Sequence, residues 1–306
     1  YPPSLFEPIR ISSYSLFGLN IFGSIYKLRI LLNYHKKNMN KINIYCLSLF
    51  KSDYKNIIDK NYIPVGLGND NFVEGWLTDK KGDNICQKNP YYGEYTFHYN
   101  LWKNNIIDKN YNGWIGFCTY RRFWAQDKRK SDFNLLDENF LRRVPDEWKN
   151  YDSVLVEPIF TNKTKLSKIL KHGKKNLIKN PFLFLNKENI TIKIHFDMYH
   201  GYGNLDKAID QLSNKDKEKF RKFVNTETCF NPYNMFICKN KKVLFDYYKD
   251  VFSWLEKCEK IFGFDLGESY GQKRIYGFLA ERFLSYWFKT YANPINWPIY
   301  FKDRNL

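Results

Sequence analysis

The chain has 306 residues, 43% hydrophobic and 26% charged, with a formal net charge of +17. That composition belongs to a globular protein with a sizeable core, in one large domain or two closely joined ones. The six cysteines form no C-x-x-C pair and no histidine stands at finger spacing, which excludes a zinc site of that kind and leaves reduced core cysteines of a cytosolic protein.

The chain begins with Tyr1 rather than Met and reads as a piece of a longer protein, with no signal peptide visible. The uncharged stretch from Ile11 to Tyr26 has 16 residues, short of the ~20 that a spanning helix needs. With the basic stretch after it, this segment predicts either a hairpin or helix packed on the domain or a segment resting on an anionic membrane face. Residues 1–40 are therefore read as an N-terminal extension and 41–306 as the domain proper. "INIYCLSLF" (Ile42 to Phe50) reads as a strand buried on both faces. "YIPVGLGND" (Tyr62 to Asp70) predicts a second strand ending in a glycine-rich turn, and "WLTDKKGDNICQKNPYYG" a loop. In "EYTFHYNLWKNN", Tyr95, Tyr99 and Trp102 share one helical stripe. "GWIGFCTYRRFW" and "YDSVLVEPIF" read as strands, while Thr161 to Lys193 shows no clear pattern. "DMYHGYGNLDKAIDQL" reads as a turn feeding a helix, and the stretch from Cys229 to Cys258 as strand, turn and long amphipathic helix. "KRIYGFLAERFLSYWFKTY" is the clearest helix, and "NWPIYF" an edge strand. Strands alternating with helices predict an α/β domain with a mainly parallel sheet.

Ligands of open α/β sheets bind beyond the carboxyl ends of strands, and two such ends carry polar clusters. Gly66 and Gly68, followed by Asn69, allow close backbone approach, although the stretch is neither G-x-G-x-x-G nor a P-loop. Tyr120, Arg121 and Arg122 follow the apolar run from Trp114. Guanidinium groups match phosphate bidentately, but an arginine pair also answers carboxylates across a sheet. Adjacent residues of a continuing strand face opposite ways, so only one arginine would line a cleft unless the strand has ended. Asp83, Asn84, Lys88 and Asn89 share one loop, and Glu94 opens the next helix. His200 and Asp206 lie six apart, His being suited to proton transfer near neutrality. Glu281, beside Arg282 on the clearest helix, reads as half buried and in need of a partner. No D-x-D flanked by strand residues is present to hold a divalent metal, so no metal ligands are assigned.

Taken together, "YIPVGLGND", "GDNICQKNPYYGEYTFHYNLWKN", "WIGFCTYRRFW", "DMYHGYGNLDKAI", "NPYNMFICK" and "RIYGFLAERFLSYWF" resemble a bacterial family, a domain of unknown function found among glycosyltransferases of capsule, lipopolysaccharide and exopolysaccharide gene clusters. The family's hallmark is His-Tyr-Arg-Arg-Tyr-Phe, and the match runs from about Lys41 to Phe301 in the same order. Thr119 stands where relatives carry the His, and Cys86 where they carry Ser. The resemblance implies a GT-A-like, Rossmann-related fold that binds a nucleotide sugar. It implies transfer from a nucleoside diphosphate sugar, a UDP-sugar by expectation, to a hydroxyl of a growing surface glycan. Glu94, Asp206, Glu281 and His200 are then the candidate catalytic residues. Gly66, Gly68, Asn69, Asp83, Asn84, Lys88, Asn89, Tyr120, Arg121, Arg122 and Arg282 are the candidate donor-binding residues. No cofactor is expected beyond the donor, with a divalent metal left open. The expected place is the cytoplasm, at the inner face of the membrane if 1–40 rests there, within a polysaccharide assembly system. The rival readings are a basic nucleic-acid-binding module and a non-catalytic glycan-binding domain.

Overall fold

The computed structural model describes residues 41–302 apart from 69, 129–138, 180, 185–186 and 268. The segment 1–40, to which a packing or membrane-surface role is assigned from sequence, lies outside the described residues, as does Asn69.

In chain order the strands are β1 (Ile42–Ser48), β2 (Ile63–Gly66), β3 (Leu77–Thr78), β4 (Trp114–Thr119), β5 (Arg122–Trp124), β6 (Ser153–Val156), β7 (Ile159–Phe160), β8 (Cys229–Phe230), β9 (Phe236–Cys238), β10 (Pro294–Trp297) and β11 (Ile299–Phe301). The helices are α1 (Tyr54–Ile58), α2 (Asn89–Tyr92), α3 (Tyr95–Lys103), α4 (Leu166–His172), α5 (Lys174–Lys179), α6 (Ile192–His200), α7 (Asn204–Ile209), α8 (Asn214–Thr226), α9 (Lys241–Phe262), α10 (Tyr270–Lys273) and α11 (Ile275–Tyr291). The main sheet runs β10-β6-β9-β4-β1-β2-β3, and β5 pairs with both β4 and β11. β1 is parallel to β2 and β4, β2 to β3, and β6 to β10. β9 is antiparallel to β4 and β6. Gly116 of β4 sits against Ile237 of β9, where an added Cβ would lie 2.8 Å from Ile237 Cγ1, so its bare backbone lets the reversed strand close.

Period-2 alternation sends the strand residues into two cores. Tyr45, Leu47, Ile115 and Phe117 join the larger one, built with α3, α9 and α11. Ile44, Cys46, Trp114 and Cys118 face the smaller one, with Trp124, Trp148 and Trp297. Burial on both faces explains why β1 and β4 read as continuous apolar runs. On α3, Tyr99 and Trp102 pack against Phe252 of α9 at ring distances of 5.3 and 5.6 Å. The 22-residue α9 is capped by Asn240, whose side chain accepts from Val243 N–H. All six cysteines are free.

Several local expectations need correction. "YDSVLVEPIF" divides into β6 and β7, which belong to different sheets, and "NWPIYF" holds the end of β10 and the whole of β11, which pair with β6 and β5. The run from Gly113 to Trp124 is two strands: β4 ends at Thr119, and the chain turns at Tyr120 and Arg121 and returns as β5, pairing Thr119 with Arg122. The stretch read as a loop after Trp76 holds the edge strand β3 and the short α2. "DMYH" is the last turn of α6, stopped at Gly201, whose φ of +98° suits glycine. No helix among the described residues is long and apolar enough to cross a membrane.

Candidate functional site

Beyond the carboxyl ends of β1, β2 and β4 lies a cleft of two joined chambers. One, about 380 Å³, is lined by Leu47, Ser48, Leu67, Asn89, Tyr120 and Arg121. The other, about 250 Å³, is lined by Tyr233, Asn234, Gly277, Phe278 and Glu281. Glu94, Thr119, Arg122, Tyr270 and Arg274 line both and form the junction.

The end of β4 at Thr119 decides the arginine question. With the strand ended at Thr119, both Arg121 and Arg122 line the larger chamber. Tyr120 N–H donates to Leu47 C=O, and Lys302 N–H to Arg121 C=O, so the turn is tied on both sides. The Arg122 guanidinium lies 4.0 Å from the Tyr233 ring centre and 5.5 Å from that of Phe301. Arg121 lies 5.1 Å over Tyr120, with its Nε buried and unpartnered. Among the described residues neither arginine pairs with a carboxylate.

The facing wall carries the carboxylates. Glu94 precedes α3, and its Oε2 lies 3.4 Å from Arg274 Nη2. Arg274 also donates through Nη1 to the Tyr270 hydroxyl at 3.0 Å. A Cβ on Gly93 would sit 2.0 Å from Arg274 Nη2, so glycine there gives the guanidinium its passage. Asn89 Nδ2 donates to Gly93 C=O at 3.0 Å and to Thr96 Oγ1 at 3.1 Å, and the Thr96 hydroxyl donates to Asp79 at 2.6 Å. This chain fixes the floor next to Glu94. Burial pushes the Asp79 carboxyl above its ordinary range, and the Thr96 hydroxyl opposes that.

Glu281 is 8% exposed at the edge of the smaller chamber. Its Oε1 accepts from Tyr233 N–H at 2.6 Å, and its Oε2 pairs with Arg282 Nη1. Burial raises its carboxyl, while the Arg282 guanidinium and the Tyr233 N–H pull it back. Tyr233 and Asn234 both hold positive φ, +74° and +53°, conformations that side chains other than glycine adopt at a cost. The Glu281 contact and the bond from Asn234 Nδ2 to Gly277 C=O hold this turn. Thr119 Oγ1 and Asn234 Oδ1 are buried in the cleft walls without partners among the described residues.

Several candidates sit elsewhere. Arg282 is 1% exposed, 3.8 Å from the Phe230 ring centre, and lines neither chamber, so its charge serves Glu281. His200 is 4% exposed; its Nδ1–H donates to Gly271 C=O at 2.9 Å and its ring stacks on Phe278 at 4.0 Å. Burial holds it well below the usual His range and therefore neutral. It pins α6 to the start of α10, behind the cleft wall. Asp206 pairs with Lys193 at 3.0 Å and Arg221 at 3.7 Å, away from both chambers. Lys88 is taken by Glu259 at 2.7 Å. Asp83 accepts from the Tyr99 hydroxyl at 3.4 Å, and Asn84 closes its own loop by donating to Lys80 and Gly82 carbonyls. Gly66 makes room for the Phe72 ring, 2.3 Å from where its Cβ would stand, and Gly68 uses its φ of +74° to turn the chain over Asn89. Of the candidates, Glu94, Glu281, Asn89, Tyr120, Arg121 and Arg122 come together. Reading the sequence misses Tyr233, Tyr270, Arg274 and Phe278. The one local signal for them is the i, i+4 spacing of Tyr270 and Arg274 just before the clearest helix.

The fold and the cleft define an α/β protein of GT-A-like architecture with a basic, ligand-sized site at its strand ends. Residues 43–293 match the family described as "Domain of unknown function (DUF4422)", and the chain belongs to that family. Among solved structures it is similar to the apo structure of the WbbM bifunctional glycosyltransferase, with a TM-score of 0.62 and 18% identity. The match covers 87% of this chain and 46% of that one, so the chain spans less than half of its length. No curated protein sequence matches.

Proposed function

We propose that the cleft transfers a sugar from a nucleoside diphosphate sugar, a UDP-sugar in our reading, to a hydroxyl of a growing capsular or other surface polysaccharide. The observation that carries this is the pair Arg121 and Arg122, free of carboxylate partners among the described residues and both lining the larger chamber. Two guanidinium groups there suit a diphosphate, and the charge that grows on it as it departs is what they would stabilise. The smaller chamber would then take the acceptor. The acceptor oxygen forms its bond to the anomeric carbon, the bond from that carbon to the diphosphate oxygen breaks, and the diphosphate leaves with the electron pair.

The acceptor proton needs a base. Glu94 fits best, since it lines both chambers and, among the described residues, its carboxylate keeps a 3.4 Å contact to Arg274 alone. Glu281 has both oxygens engaged and positions the Tyr233–Asn234 turn instead. Tyr120 and Tyr270 line the larger chamber, where aromatic rings suit a base or sugar. The WbbM likeness supports the fold on which such a reaction is built. The test is turnover of UDP-sugars with and without Mn²⁺ and a glycan acceptor. Arg122→Ala should cut the rate at least tenfold, about 1.4 kcal/mol of transition-state stabilisation. Unchanged turnover in that variant would remove the arginine from the mechanism. No turnover of any donor by the unaltered protein would favour a non-catalytic glycan-binding domain.

A further inference from the structure

The segment from Ile159 to Lys187 contains eight lysines, at 163, 165, 168, 171, 174, 175, 179 and 187, and no Asp or Glu. The first seven are exposed, and none is in an ion pair with a described residue. The same segment displays large apolar side chains. Ile178 is 82% exposed and Phe182 71%, the two highest values for large hydrophobics among the described residues. Phe160 and Leu170 add 46% and 48%. The outward apolar placement is specific. Leu177 turns inward to a small cluster with Ile190 and Met198, and Asn176 donates to Ile194 C=O, so α5 has a docked side and a free side. Beside the free side, Lys171, Lys174 and Lys175 rim a hollow of about 340 Å³ that Tyr199 and Tyr202 also line.

We infer that the α4–α5 surface docks on an anionic phospholipid bilayer, with Ile178 and Phe182 entering the interface and the lysines meeting headgroup phosphates. Both components are needed for this reading. A soluble polyanion would satisfy the lysines but leave Ile178 and Phe182 in water, whereas a bilayer boundary takes up both. Each lysine that reaches the surface strengthens partition roughly fivefold. The inference is independent of the transfer chemistry, because the cleft and this surface share no lining residue.

The experiment is cosedimentation of the full chain with vesicles of phosphatidylcholine alone or with 30–40% (roughly) phosphatidylglycerol, an amount that sets a strongly negative surface potential. Binding is expected to the anionic vesicles, weakened by salt. Lys171→Glu/Lys174→Glu/Lys175→Glu and, separately, Ile178→Ser/Phe182→Ser should each lower partition at least fivefold. Arg122→Ala should not change it. The five substituted surface positions are exposed, and circular dichroism of each variant checks that it folds. Equal binding to both vesicle types, or less than a twofold effect of the apolar pair, overturns the inference. Tight, salt-sensitive binding to DNA or polyglutamate that ignores the apolar pair would assign the surface to a soluble polyanion and overturn it as well.

Discussion

The ion pair of Glu281 and Arg282 is the interior feature whose removal the structure constrains most closely. Arg282 is 1% exposed, so a neutral neighbour leaves its charge with no compensating carboxylate. In Glu281→Gln the amide oxygen still accepts from Tyr233 N–H, and the change falls on the pair alone. Breaking a buried pair from one side costs about 3 kcal/mol at the low end, with the adjacent Phe230 face, 3.8 Å away, offsetting a part. For a chain of 306 residues that lowers Tm by roughly 4–5 °C. The second change, Arg282→Met, removes the orphaned charge and keeps an apolar side chain over Phe230, so the double variant should regain more than half of the loss. Urea unfolding followed by tryptophan fluorescence measures both. A Glu281→Gln loss under 1 kcal/mol, or a double variant no more stable than the single, would refute the reasoning.

Acid should find the buried histidines. His98, 0% exposed among Phe117, Phe236 and Tyr248, is held down to about 3, and His200 is lowered by the same burial. Below about pH 6.5 the unfolded chain takes up protons that these rings refuse. Each therefore contributes stability that is present above that pH and falls by about 1.4 kcal/mol per pH unit on acidification. Ring resonances of His98 and His200 should stay those of neutral imidazole at pH 5; either ring titrating near 6.5 contradicts the placement. Glu94→Gln should lower kcat at least a hundredfold with little change in donor affinity, since general-base catalysis contributes roughly 10²–10⁴. A variant that loses donor affinity and keeps kcat would show Glu94 to be a binding residue instead.

The strands and long helices were legible wherever burial on both faces or a sustained stripe left a periodic mark, as in β1, the apolar half of β4, α9 and α11. The Tyr120–Arg121 turn was not, because two aromatic neighbours made it resemble more strand. Half of the cleft follows the same logic. Glu94, Arg121 and Arg122 stand at element ends, where sequence already points to function. Tyr233, Tyr270 and Arg274 enter through a left-handed turn and a short helix whose partners lie far away in sequence. Asp206 and His200 looked like proton-transfer groups because their type suits that work, but only packing reveals that one is tied to Lys193 and Arg221 and the other to Gly271.

Thermal unfolding with nucleoside diphosphates and their sugars, for the unaltered protein and for Arg121→Ala/Arg122→Ala, tests the central claim most directly. A ligand that binds only the folded chain stabilises it by about 2.7 kcal/mol at a hundred times its Kd. The account predicts a rise in Tm with a nucleoside diphosphate for the unaltered protein and none for the double variant. An equal rise in both proteins, or none in either at millimolar ligand, would contradict it.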